Sequence, residues 1–236
     1  MASTQVAGRR NLGVLTGALF VLLWIAGTVA QGMSGSSASP RPTDGMGKVQ
    51  EYFKASASGA ELNAGLQILA AVALLWFAGI MAGFLRRQGR PGSAPDLVLA
   101  GGALAAGTLL LSAGVIVSLT GSDVSSDAAV TQALYQLLFW TGGPLHVAAL
   151  GTMIAAAAYA LGGVLPKWLN VFGLVVGVAG VLASLTVVVP PTVMFTPIGR
   201  FLGFLWMLIA TIMIGLRRSP VAASTDFPTT VNRSAA

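Results

Sequence analysis

Residues 130–163 read VTQALYQLLFWTGGPLHVAALGTMIAAAAYALGG, an apolar run too long to cross a bilayer as one straight rod. A continuous helix here would extend roughly 50 Å at about 1.5 Å per residue, against a hydrocarbon core about 30 Å thick. The run must therefore be interrupted, and Gly142, Gly143 and Pro144 mark where. Proline removes a backbone donor, and paired glycines tolerate the dihedral change that a break requires. The break lies just before His146, the only histidine in the chain. Counting about 20 residues back from Gly163 reaches Pro144. The span proper is expected at 144–163, and Thr131 to Thr141 is expected as a short external or re-entrant helix.

The rest of the chain has the same apolar character. Hydrophobic residues make up 55% and charged residues only 8%, whereas about a quarter of a soluble protein is charged. The chain is therefore an integral membrane protein, and the question becomes how many helices cross. Thirty glycines point to close helix packing, since small residues let membrane helices approach. The formal charge of +6 is carried by short basic clusters beside apolar segments, a pattern of membrane topology and not of a nucleic-acid surface. With no cysteine in the sequence, disulfides, thiolate catalysis and cysteine-ligated metals are excluded.

Working outward, the expected architecture is all-α, a polytopic bundle of six transmembrane helices over residues 12–216, with spans at 12–30, 62–85, 97–120, 144–163, 168–189 and 197–216. Residues 1–11 form a polar N-terminal segment carrying Arg9 and Arg10. The run of about 19 residues after it exceeds the 7 to 15 of a signal-peptide core, so it reads as a first span. Residues 31–61 read as the main external loop, in which Val49 to Phe53 suggests one or two helical turns with Tyr52 and Phe53 at the headgroups. Asp96 reads as the N-cap of span three. Residues 217–236 read as a disordered cytoplasmic tail.

Orientation follows from counting lysine and arginine. With the N-terminus inside, Arg9, Arg10, Arg86, Arg87, Arg90, Lys167, Arg217, Arg218 and Arg233 lie on the cytoplasmic side, and Arg41, Lys48, Lys54 and Arg200 lie outside. The positive-inside rule thus favours six spans with both termini in the cytoplasm; the expected location is a bacterial inner membrane. The preference for Arg over Lys, with abundant Ala, Gly and Val, suits a GC-rich bacterium.

Val49-Gln50-Glu51-Tyr52-Phe53, Phe84-Leu85-Arg86-Arg87, Leu165-Pro166-Lys167-Trp168-Leu169, Pro197-Ile198-Gly199 and Leu205-Trp206 together resemble a group of small six-span bacterial membrane proteins of unknown function. The resemblance covers most of residues 12–216 and implies the six-span fold but no activity.

The candidate site is a small outward polar pocket around His146 and Arg200. Arg200 is expected about one turn inside span six, with Gln136, Thr141 and Glu61 joining from neighbouring ends. Polar groups at membrane depth are costly and tend to face a cavity or a partner. Their structural readings are a hydrogen bond for His146 and snorkelling for Arg200.

One histidine without cysteine or intramembrane carboxylate does not make a metal site, and no nucleophile elbow, phosphate loop or dinucleotide fingerprint occurs. No cofactor, metal, nucleic acid or catalysis is expected. Glycines four apart, Gly13 and Gly17, Gly79 and Gly83, Gly173 and Gly177, Gly199 and Gly203, read as packing within one bundle, with a homo-oligomer or membrane partner as the alternative. The functional expectation is a non-enzymatic accessory or sensory protein, and the alternative is a small transporter or pore using the broken helix.

Overall fold

A computed structural model of the chain describes residues 12–34, 40, 44–90, 92–122 and 126–216, and no β-strand forms among them. The expected N-terminal segment and tail, 1–11 and 217–236, lie outside the described residues. Six helical segments are long and apolar enough to cross a membrane: Gly13–Ser34, Ala57–Arg87, Ala94–Thr120, Ala128–Ala160, Lys167–Val187 and Pro190–Leu216. They are spans one to six.

The spans are longer than hydropathy suggests, because caps and backbone hydrogen bonds set where a helix ends. Span one continues to Ser34 and span two starts at Ala57, so much of the expected loop 31–61 is helical. A further helix, Met46–Ala55, lies between them. Its Val49, Tyr52 and Phe53 form one apolar face. They are buried against Ala60, Ala64, Ile116 and Leu119, with Tyr135 beside them, because an apolar face beside the bundle loses more water-exposed area by docking than by lying free. Span three starts at Ala94, so Asp96 is in its first turn and not at its cap. There it meets Arg86 at 2.6 Å, an exposed pair contributing at most about 1 kcal/mol.

Glycines set the close approaches. A Cβ on Gly17 would come within 2.8 Å of the Phe77 ring, one on Gly151 within 2.6 Å of the Gly177 carbonyl, and one on Gly199 within 2.7 Å of the Gly180 Cα. Of the four pairs singled out in the sequence, three pack inside the bundle. Gly79 and Gly83 meet no side chain but Arg87 on their own helix.

Spans four and five are antiparallel neighbours joined by a short turn. Arg90 donates to the Gly162 carbonyl at 2.7 Å, and Trp206 Nε1 donates to the Leu169 carbonyl at 2.9 Å. With Arg86 and Lys167 nearby in the chain order, this is the basic end of the bundle.

Span four breaks at the expected residues. Thr141–Leu145 form a wide π-type turn, and Gly143 leaves helical geometry at φ −105°, ψ −111°. The arm before the break, Ala128–Trp140, is a short helix distinct from the arm after it, His146–Ala160. Its Leu134 and Leu138 pack with Ala113, Ile116 and Leu119 along the second half of span three. The break therefore falls near the middle of a 33-residue segment.

Candidate functional site

The break directs the side chain that follows it into the bundle. His146 is fully buried, and its Nδ1 lies 3.0 Å from the Ala105 carbonyl on span three. A carbonyl only accepts, so this contact assigns the proton to Nδ1 and leaves the lone pair of the neutral ring on Nε2. Nε2 has no hydrogen-bond partner.

Arg200 reaches the same break from span six. In a regular helix the Gly142 carbonyl would accept from the N–H of His146 four residues on, but that N–H turns to the Gly143 carbonyl. Arg200 Nη2 donates to Gly142 O instead. A backbone acceptor at the break is thus bonded by a side chain, which favours order where competing water is scarce. The guanidinium also lies 5.1 Å over the Trp24 ring, a cation–π contact that strengthens when desolvated. Among the described residues no carboxylate pairs with Arg200, and its Nε is buried without a partner.

The site is deeper than one turn. A Cβ on Gly142 would lie 2.7 Å from Ser112 Oγ, and Ser112 is two turns before the end of span three, or about 12 Å. On span six, the 3-10 turn Pro190–Met194 precedes the α-helix that carries Arg200.

Aromatic rings join the two polar groups. Phe20 meets His146 at 6.5 Å and Phe204 at 5.3 Å, and Phe204 meets Trp24 at 5.1 Å. These rings hold the imidazole and guanidinium in fixed positions without neutralising either.

A second polar file runs between spans one and two. Asn63 Nδ2 donates to Gln31 Oε1 at 2.5 Å, and Gln67 Nε2 donates to Asn63 Oδ1 at 3.1 Å. Gln67 Oε1 has no partner although the residue is only 7% exposed. Gly27 faces Asn63, so Gln67, one turn on from Asn63, is level with Trp24, one turn before Gly27. Gly102 faces Ala78, so about three turns further along each helix Gln67 is also level with Ser112. Trp24, Gln67, Ser112, Gly142 and Arg200 therefore form one polar layer drawn from five spans. Thr196, one turn from Arg200 on the same helix face, adds a buried hydroxyl without a partner.

The structure joins His146, Arg200 and the break, and it redistributes the other sequence candidates. Thr141 is buried, but its hydroxyl donates to the Leu137 carbonyl of its own helix at 2.7 Å. Gln136 is half-buried on the arm before the break. Glu61 is exposed and does not enter the layer, because its neighbours Ala60, Asn63 and Ala64 occupy the inward stripe of span two. Sequence reading missed Trp24, Asn63, Gln67 and Thr196. The i, i+4 spacing of Asn63 with Gln67 and of Thr196 with Arg200 was the available signal. No group of three histidine, cysteine or carboxylate side chains that would hold a metal occurs among the described residues.

Compared with protein families, characterised proteins and solved structures, the chain matches none.

Proposed function

We propose that this integral membrane protein is a non-enzymatic accessory or sensory protein that binds a small polar solute in the layer around Arg200 and His146. The observation that carries the reading is a part-buried arginine with no carboxylate beside it among the described residues, near which His146 Nε2, Gln67 Oε1 and Arg200 Nε are also unpartnered. Buried polar atoms of native proteins are almost always satisfied, and at membrane depth such groups mark solute sites. The charge bias of the sequence supports an inner-membrane orientation with cytoplasmic termini, which opens the layer outward.

The transporter reading keeps one supporting observation, the helical interruption at Gly143 within a span. Against it stands the seam below the layer, where a Cβ on Gly177 would lie 2.7 Å from the Ala155 nitrogen and one on Gly151 2.6 Å from Gly177 O. That seam leaves no room for a solute between spans four and five.

The test is thermal unfolding of purified protein in a panel of inorganic anions, small carboxylic acids, amino acids and polyols. A solute present at about 100 times its Kd should add about 2.7 kcal/mol of stability. The expected result is that one class raises Tm in the native protein and leaves Arg200→Gln unchanged. A flat panel would mean that the layer only packs the bundle.

A further inference from the structure

We propose that Gln31, Asn63 and Gln67 line a narrow water-filled vestibule that admits small anions, inorganic or carboxylate, from the end of the bundle opposite Arg86 and Lys167 to Arg200. The proposal rests on the solute-binding reading above and names the chemistry of its occupant.

Three observations carry it. The amides form a continuous file, from half-exposed Gln31 at the end of span one to Asn63 and Gln67, each more than nine-tenths buried. Asn63 packs directly against span one at Gly27, where a Cβ would lie 2.6 Å from its Oδ1. A file of this kind is unfavourable in a dry bundle, where hydrocarbon supplies no partner for a spare amide oxygen.

The second observation is where the file ends. Gln67 retains an unpartnered oxygen at the level of Trp24, and over the Trp24 ring lies the guanidinium with an unpartnered Nε. An acceptor with nothing to accept and a donor with nothing to donate to, on one layer, are served together by water or by a hydrated ion. The third is charge. The only formal charge among the residues assigned to this layer is positive, and a full charge in a low-dielectric surround repels cations and concentrates anions. Below the layer the inward face of span two becomes Ala70, Ala71, Leu74 and Phe77, all buried, so the water path stops there.

The chain lacks cysteine, so one introduced thiol reports one position. Gln67→Cys and Asn63→Cys, reconstituted in lipid nanodiscs, are reacted with methanethiosulfonates bearing either a sulfonate or a trimethylammonium group. Leu74→Cys, deeper on the same face, is the buried control and Gln88→Cys is the exposed control. Both upper positions should react while Leu74→Cys does not. Relative to Gln88→Cys, the sulfonate should be preferred on the order of tenfold at position 67. Arg200→Gln should remove the preference and keep the reactivity. If Gln67→Cys does not fold, Asn63→Cys carries the same comparison.

Silence at positions 63 and 67 with a reactive Gln88→Cys would overturn the vestibule. Equal rates for the two reagents would overturn its anion selectivity. Reactive thiols with a flat solute panel would remove the binding reading alone, so the two failures are distinguishable.

Discussion

The two arms of span four belong to one apolar segment but differ in how they are held. In the arm after the break, His146–Ala160, eleven of fifteen residues are buried. In the arm before it, Ala128–Trp140, only Thr131 of thirteen is buried. Mean apolarity does not distinguish them. What does is the size of the residues facing them: Gly101, Gly102, Gly177 and Gly180 let neighbouring backbones reach the second arm, whereas the first arm meets span three through Leu134, Tyr135 and Leu138. A close backbone approach immobilises one arm and the wide turn at Gly143 mechanically separates it from the other.

This contrast is most severely tested where the held arm is tightest. Gly151→Leu would drive a side chain into the Gly177 carbonyl and the Val181 nitrogen, at 2.6 and 2.9 Å from its Cβ. Backbone cannot yield as side chains do, so the loss should exceed the roughly 1–3 kcal/mol of ordinary overpacking. Size-exclusion chromatography should show little monodisperse protein.

At the junction of the arms, Arg200→Ala leaves the Gly142 carbonyl without its donor, a cost of about 1–3 kcal/mol, and also removes the stacking on Trp24. Arg200→Lys should recover part of this in a thermal melt, because an ammonium donates to the carbonyl but lacks the planar fork. In the loosely held arm, Leu137→Ala, at a position 40% exposed, should stay within about 0.5 kcal/mol. Amide exchange in 128–140 should be faster than in 146–160.

The sequence made some of this legible and hid the rest for identifiable reasons. Hydropathy identifies six crossings, and the Gly142-Gly143-Pro144 tripeptide locates the break, because both depend on local composition. Span ends were displaced, as at Ser34, Ala57 and Ala94, because docking and backbone hydrogen bonding decide them. The pairing of Arg200 with Gly142 O joins residues 58 apart, and no periodicity carries that information. Glu61 looked like a site residue because it is charged and close in sequence to the right end of its span. A single step around the helix turns it outward, while Asn63 and Gln67, uncharged and unremarked, face in.

The chain's single histidine gives a direct measurement of the junction. Imidazole 15N NMR of ring-labelled protein in lipid should show one neutral tautomer, protonated at Nδ1, with a hydrogen-bonded proton and a bare Nε2. A ring protonated at Nε2 with Nδ1 free would mean that span four does not turn His146 toward Ala105. The polar layer would then have to be abandoned.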